Sequence, residues 1–342
     1  MKIAIVKLSA LGDIVHSMIV LQFIRKHNPE IIIDWVVDES CNELLESHPD
    51  INKVHSVNLK NIKRKKSLFI LLKEFRKVSQ FGKYDAVIDM QGLIKSAVIS
   101  RLISSPITLG FDKSSAREGI ASVLYNQTFK YSYDKNVIER NLALIGNFLD
   151  FPVTKESILN KEVFLHSSQR YKFKAISNII SNIVLIPGAS NDSKMYSYQK
   201  LAEIASIIEA NFIIVWGTEV EKLLADKIKT LCPKVQVMEK LSIDLLVSLV
   251  SQVDLVIGSD TGPTHIAWAL NIPSITLFGP TPAYRNAYNT SINKIIESDS
   301  KVNSLKINKL DYSINNINVD EIVRLAQHLL QKRNKTHKIT LK

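Results

Sequence analysis

The chain has 342 residues, a length that suggests about two domains, each large enough to bury its own core. Hydrophobic residues make up 46% and charged residues 23%, as in ordinary globular proteins, and no stretch reaches the ~20 apolar residues that cross a bilayer. The two cysteines, Cys41 and Cys232, form no metal or redox motif, which fits a reducing cytoplasm. A net charge of +11 is compatible with three kinds of anionic partner, namely nucleic acid, anionic lipid or a phosphorylated substrate.

The first half of the chain alternates short apolar runs with helical patterns. Ile3–Val6 is predicted to be a buried strand, followed by a loop at Ser9–Gly12 and a helix over Ile14–His27. Two further strands are predicted at Ile31–Val37 and Ala86–Asp89.

Between these strands lies a basic segment, with an apolar run, Leu68–Leu72, inside it. Its cations are Lys60, Lys63, Arg64, Lys65, Lys66, Lys73, Arg76 and Lys77. The pattern is compatible with a solvated face, and equally with a basic amphipathic helix near a membrane surface.

The second half repeats the alternation. Ile183–Ile186 is predicted as a strand, Pro187–Ser197 as a loop and Tyr198–Ala210 as a helix. Further strands are predicted at Phe212–Trp216, Val235–Met238, Asp254–Ile257 and Ser274–Phe278. Two such series predict an α/β protein with two Rossmann-like domains, whose ligands bind in the loops after Val6, Ile186, Trp216 and Ile257.

The expected domains are residues 1–160 and 161–318. A last segment, 319–342, holds a helix from about Val319 to Gln331 that closes the second domain or packs back on the first. An edge strand is expected around Val163–Leu165.

The segment Gly258–His265 is the most informative. It follows an apolar run and precedes an alanine-rich helical pattern, so unpaired amides and the helix dipole favour an anion there. Asp260, Thr261, Gly262 and His265 add groups that suit a sugar on one side and a phosphate on the other. The alternative is an ordinary strand-to-helix turn in which Asp260 or Thr261 caps the helix.

Three other loops carry candidate side chains. Asp13 begins the first helix, where it is either a general base or a helix cap. Ser190 and Lys194 precede a helix and suit a phosphate, although a polar loop with one lysine is common. Glu221 suits ribose hydroxyls, or else it is a helix-start glutamate favoured by the dipole.

Several common motifs are missing. No Gly-x-Gly-x-x-Gly follows a predicted strand, and no Walker loop is present, which argues against dehydrogenases and P-loop NTPases. Without an Asp-x-Asp triplet or clustered His and Cys ligands, nothing suggests a metal site or a cofactor.

Taken together, these segments resemble the bacterial lipopolysaccharide heptosyltransferases of glycosyltransferase family 9. The matching segments are Lys7–Asp13 with His16, Gly110–Asp112 with Ser115–Glu118, Trp216-Gly217, Ser259–Gly262 with His265, and Phe278–Thr281. The chain departs from the family pattern at Ala189, Tyr196 and Leu241.

The resemblance implies a GT-B fold, with two Rossmann-like domains facing across a cleft, and inverting transfer of heptose without a metal or cofactor. Asp13 would be the general base. Donor ADP-heptose would be bound by Ser190, Lys194, Glu221, Leu241, Asp260, Thr261, Gly262 and His265. The acceptor would be bound by Lys7, Ser9, Lys60, Lys63, Arg64 and Arg117.

The resemblance implies that the acceptor is Kdo2-lipid A. It also implies that the enzyme is cytoplasmic and peripheral to the inner membrane. A family member that instead adds to the first heptose is the alternative. A non-catalytic binder of anionic membrane or nucleic acid is the alternative from another class, and the leading interpretation has no nucleic-acid partner.

Overall fold

A computed structural model describes residues 1–59 and 67–340, with the backbone alone over 334–340. The chain divides into two compact units, Met1–Phe164 and Leu165–Lys342. No helix in the described part of the chain is long and apolar enough to span a membrane.

The first unit contains one parallel sheet of six strands, in the order β3-β2-β1-β4-β5-β6. The strands are β1 Lys2–Val6, β2 Ile32–Asp38, β3 Lys53–Val57, β4 Ala86–Asp89, β5 Thr108–Phe111 and β6 Gln127–Phe129. The central strand β1 is buried from Ile3 to Val6 because a parallel sheet in an α/β fold is covered on both faces.

Six helices are described in this unit. They are α1 Leu11–His27, α2 Glu43–Glu46, α3 Leu68–Ser79, α4 Ile94–Leu102, α5 Val137–Leu149 and α6 Lys155–Leu159. The edge strand expected around Val163–Leu165 is not formed: this segment is irregular, and the Phe164 carbonyl lies 3.0 Å from Nε2 of His48.

The second unit has another parallel sheet of six strands, in the order β12-β11-β10-β7-β8-β9. Its strands are β7 Asn182–Ile186, β8 Asn211–Ile214, β9 Gln236–Val237, β10 Leu255–Ser259, β11 Ser274–Phe278 and β12 Asn293–Glu297. Its described helices are α7 Tyr198–Ile207, α8 Glu219–Leu231, α9 Ile243–Val250, α10 Gly262–Ala269, α11 Ala283–Asn286 and α12 Val319–Thr340. The helix α12 contributes Ile322, Ala326 and Leu329 to the core of this unit.

Both sheets have the Rossmann strand order, which confirms the expected α/β class with two Rossmann-like units. In each, the first and fourth strands of the series are neighbours: β1 pairs with β4, and β7 pairs with β10. The helical connections leave these strands in opposite directions along the sheet, so a crevice forms at their carboxyl ends. The loops after these four strands are therefore the places where each unit is built to bind a ligand.

A buried polar cluster lies on β2, away from these loops. The carboxylate of Asp34 is fully buried and accepts hydrogen bonds from Asn52 Nδ2 and Tyr84 OH, each at 2.7 Å. Lys2 Nζ and His55 Nε2 lie 3.0 and 3.5 Å from it. Burial raises the pKa of Asp34, but the hydrogen bonds led by His55 outweigh burial and hold this pKa below its usual range.

Candidate functional site

The loop after β10 holds a buried carboxylate with three partners. Asp260 Oδ2 accepts from Lys194 Nζ at 2.9 Å and from Asn286 Nδ2 at 3.3 Å. Nε2 of His265, in the first turn of α10, lies 3.0 Å from Oδ1. The predicted donor residues Lys194, Asp260 and His265 are thus brought together, although Lys194 is far from the other two in sequence.

Electrostatics keep this carboxylate charged. Burial raises the pKa of Asp260, yet the nearby Lys194 ammonium and the hydrogen bond with His265 outweigh burial and hold the pKa well below its usual range. Asp260 therefore stays ionised at neutral pH, and it anchors the ammonium of Lys194, which is itself buried. This arrangement fixes a positive charge beside the start of α10.

The start of α10 adds backbone donors to that charge. Thr261 is the N-cap residue, and its hydroxyl makes no capping hydrogen bond, while Gly262 and Pro263 form the first turn. Thr261 and Gly262 are half-buried, so both can be reached by a ligand. Free amides at the positive end of a helix dipole, next to a lysine, form an anion site suited to a phosphate.

The loop after β8 places Glu221 in a helix cap. Its Oε2 accepts from the amides of Gly217 and Thr218 at 2.6 and 3.1 Å, and the Thr218 hydroxyl caps the Glu221 amide in return. A Cβ on Gly188 would lie 2.3 Å from Cδ of Glu221, so a larger residue there would displace this carboxylate from its cap. Glu221 thus has the helix-start role considered above, and its ribose contact stays a prediction.

The remaining predicted donor residues lie on the same edge of the second sheet. Ser190 is exposed in the loop after β7, and Leu241 is half-buried just before α9. The buried hydroxyls of Ser193, Ser259 and Thr281 have no hydrogen-bond partner among the described residues. They were not among the predicted donor residues, although Ser259 and Thr281 lie in two of the segments that carry the family resemblance. Ser193 follows β7, Ser259 ends β10 and Thr281 follows β11. A polar residue at the carboxyl end of a predicted strand is therefore the sequence signal that could have identified them.

In the first unit, the loop after β1 is tied to the loop after β4. Oε1 of Gln91 accepts from the amides of Leu8 and Ser9 at 3.0 and 3.2 Å, and Lys7 Nζ donates to the Met90 carbonyl at 3.0 Å. Asp89 holds the second loop in turn, because its Oδ1 accepts from the amide of Gln91 at 2.7 Å. Sequence reasoning missed Gln91, although it follows a predicted strand.

Asp13 stands in the first turn of α1, after this tied loop. Its Oδ2 accepts from the Ala10 amide at 3.3 Å, which is one half of a capping box. Oδ1 accepts no hydrogen bond from any residue that the structure describes, and the side chain is half-buried. Asp13 therefore caps its helix and still has one carboxylate oxygen available for a further contact.

A cavity of about 730 Å³ opens beside this loop. Its wall is largely apolar, with Leu71 and Phe75 from α3, while Ser9 and Lys95 supply polar groups. Lys95 Nζ lies 3.4 Å from Ser9 Oγ and also lines a neighbouring hollow of about 620 Å³ with Arg117. Lys95 was not predicted as a site residue. A lysine in the first turn of a helix is unfavourable beside the positive end of the helix dipole, so its presence there could have indicated an anionic ligand.

The structure describes only three of the six predicted acceptor residues. Lys7 is buried, Ser9 lies at the cavity and Arg117 is exposed. Lys60, Lys63 and Arg64 lie outside the described residues. Among the side chains that the structure describes, in residues 1–59 and 67–333, no group of three or more His, Cys, Asp or Glu is arranged to hold a metal ion.

Two Rossmann-like units, each with polar loops at the carboxyl ends of its central strands, are consistent with the glycosyltransferase class that the sequence implies. Residues 73–311 match the model of glycosyltransferase family 9 (heptosyltransferase), and the chain belongs to that family. It is therefore an enzyme, which excludes the non-catalytic binder considered above.

Among its relatives, the chain is similar to lipopolysaccharide heptosyltransferase 1 of Campylobacter coli, with 39% identity over 96% of this chain and 99% of the relative. In fold it is similar to E. coli heptosyltransferase WaaC with ADP, at 22% identity and a TM-score of 0.79 over 96% of this chain and 100% of that one. The same enzyme with ADP-2-deoxy-2-fluoro heptose gives 23% identity and a TM-score of 0.77 over 96% and 99%. These likenesses confirm the expected GT-B class.

Proposed function

We propose that this enzyme is heptosyltransferase I, which transfers L-glycero-D-manno-heptose from ADP-heptose to a Kdo sugar of Kdo2-lipid A. The name of the Campylobacter coli relative, lipopolysaccharide heptosyltransferase 1, supports a lipopolysaccharide acceptor, and the ligands of the WaaC structures support the donor. The observation that carries the proposal is the cluster of Lys194, Asp260 and His265 at the crevice of the second sheet.

In the proposed mechanism the second unit binds the donor. Amides at the start of α10 and the ammonium of Lys194 bind the diphosphate, so the charge of the departing ADP is stabilised without a metal ion. Asp260, Thr261, Gly262 and His265 contact the heptose and the diphosphate. Ser190 adds a hydroxyl to the phosphates, and Glu221 and Leu241 contact the ribose and the adenine.

The first unit binds the acceptor and supplies the base. The free Oδ1 of Asp13 takes the proton from the attacking hydroxyl of Kdo, and the resulting alkoxide attacks the anomeric carbon opposite ADP, which inverts the configuration. Lys7, Ser9 and Arg117, with the sequence cluster Lys60, Lys63 and Arg64, bind the acceptor's anionic groups.

Because this acceptor is a lipid, we infer that the enzyme works in the cytoplasm, peripheral to the inner leaflet of the inner membrane. The basic segment of residues 60–77 supports this location, since anionic lipid attracts cations.

The test is product mass after incubation with ADP-heptose and Kdo2-lipid A. The expected product is heavier by one heptose, and Asp13→Asn lowers turnover by about 100-fold or more with nearly unchanged donor affinity. Glu30→Gln, which alters an exposed carboxylate of the same unit, is the matched control. Unchanged turnover of Asp13→Asn would remove this residue from the mechanism, and transfer only to an acceptor that already carries heptose would favour heptosyltransferase II.

A further inference from the structure

Helix α3 has apolar side chains on two neighbouring sides, one buried and one exposed. On the inner side Val78 is buried, and Leu71 and Phe75 line the cavity beside Ser9. On the outer side Leu68, Phe69 and Leu72 are 69%, 77% and 57% exposed. Leu68 and Leu72 are one turn apart and Phe69 is next to them on the helix surface, so the three form one apolar patch. We call this patch the outer face.

Cations border the outer face. Lys73 follows Phe69 by one turn and Arg76 follows Leu72 by one turn, and both are exposed. Lys77 is further round the helix, where its Nζ donates to the Ser56 carbonyl at 2.7 Å and pairs with Glu74 Oε1 at 3.4 Å.

The charge of the whole segment is predominantly positive. Residues 60–77 contain eight lysines and arginines against one carboxylate, Glu74, so this segment accounts for more than half of the net charge of +11. The two exposed cations beside the outer face, Lys73 and Arg76, are complementary to anionic phosphate headgroups.

The combination of exposed leucine and phenylalanine with lysine and arginine narrows the class of partner. Phosphates of nucleic acid would be met by the cations alone and would leave three large apolar side chains in water. An anionic bilayer satisfies both groups, because the apolar side chains enter the boundary between headgroups and acyl chains while the cations remain at the phosphates.

We propose that the outer face of α3 is the surface by which this enzyme binds an anionic lipid bilayer. Leu68, Phe69 and Leu72 insert below the headgroups, and Lys73 and Arg76 pair with lipid phosphates. This inference deepens the proposed function and rests on it for one point, that the acceptor is a lipid. Since the same helix forms the cavity wall, the bilayer surface lies within about one helix diameter, ~10 Å, of the cavity beside Ser9.

The experiment is flotation of the full-length protein with phosphatidylcholine vesicles, with and without phosphatidylglycerol. Binding is expected only with phosphatidylglycerol. The triple variant Leu68→Ser, Phe69→Ser, Leu72→Ser is expected to lower the partition coefficient about tenfold or more, because the inserted apolar area is lost. The control Ile179→Ser, Leu305→Ser, Leu310→Ser removes three exposed apolar side chains from the second unit and should bind as the parent does.

A second variant separates the charge from the apolar contact. Lys73→Gln with Arg76→Gln is expected to weaken binding at low salt and to reduce its salt dependence, while the apolar side chains remain. Circular dichroism and ADP binding show that each variant is folded. Parental vesicle binding by the triple variant, or equal binding to both vesicle types, would overturn the proposal. So would light scattering that shows the outer face mediating self-association, with no vesicle binding.

Vesicle binding needs neither donor nor acceptor, so its outcome is separate from that of the transfer reaction. If vesicles bind as expected and no heptose is transferred, the proposed function fails and the bilayer surface stands. If detergent-dispersed acceptor is used normally while vesicles do not bind, the surface assignment fails and the function stands.

Discussion

Replacing Gln91 with leucine tests whether the tie between the loops after β1 and β4 positions Asp13. The side-chain oxygen of Gln91 accepts from the amides of Leu8 and Ser9, and leucine has no acceptor to replace it. Each half-buried amide left without a partner costs about 1 kcal/mol, so the free energy of unfolding should fall by about 2 kcal/mol.

The larger effect is expected in catalysis. If the loop moves by about 1 Å, Asp13 no longer meets the acceptor hydroxyl in the geometry of reaction, and a displacement of that size costs about 100-fold in rate. We therefore expect kcat of Gln91→Leu to fall by 10- to 100-fold. The dissociation constant of ADP should not change, because the proposed donor residues belong to the second unit.

Two further variants make this experiment decisive. Gln91→Glu keeps an oxygen that accepts from both amides, so its stability and kcat should return most of the way to the parental values. Gln80→Leu removes an exposed glutamine of the same unit and should leave both quantities unchanged. Steady-state kinetics and urea unfolding measure them. A Gln91→Leu enzyme with parental kcat would refute the positioning role, and a fall in stability alone would make the tie purely structural.

Three further outcomes are expected. Lys194→Met should weaken ADP-heptose binding by at least tenfold in calorimetry and destabilise the fold by about 3 kcal/mol, because Asp260 is left buried without its cation. Gly188→Ala should push Glu221 out of its helix cap, lowering both donor affinity and the melting temperature, since its Cβ would lie 2.3 Å from Cδ. Because the pKa of Asp34 is lower in the folded than in the unfolded protein, its ionised form stabilises the fold. This stabilisation is fully present above the ordinary carboxyl pKa of about 4, and it is lost as the pH falls towards the folded-state pKa. Asp34→Asn should therefore flatten urea stability between about pH 5 and pH 2.

Each outcome has a result that would count against its reasoning. Parental donor affinity in Lys194→Met would mean that its ammonium does not contact the phosphates. If Gly188→Ala bound donor normally, Glu221 would not be part of the donor site. Equal acid sensitivity of Asp34→Asn and the parent would place the acid-labile group elsewhere; Asp150→Asn, at the exposed end of α5, is the control for this series.

The local parts of the fold and site were predictable from the sequence. A buried strand, a polar loop and a helix follow one another within a few residues around Asp13 and again around Asp260, so apolar periodicity and composition suffice to find them. The strands β3, β5, β6 and β12 were missed. They are short or carry polar residues, as in β3, whose sequence includes Lys53, His55 and Ser56.

The contacts between distant segments could not be predicted from local patterns. Lys194 meets Asp260 because β7 pairs with β10, and Gln91 meets Ser9 because β1 pairs with β4. The strand order decides both pairings, and single loops do not reveal it. Once a Rossmann order is assumed, the polar residues after β4 become candidates, so the order of the sheet would have identified Gln91.

The pairing of Lys194 with Asp260 has a consequence for the entropy of ligand binding. A free lysine side chain loses about 2 kcal/mol of rotamer freedom when a ligand immobilises it. Here the buried carboxylate of Asp260 already holds the ammonium in place. The rotamer entropy of Lys194 is therefore lost when the protein folds and not when the ligand binds. The enzyme thus meets its anionic ligand with an ordered cation, and the affinity gained in this way comes from rigidity and not from an additional contact.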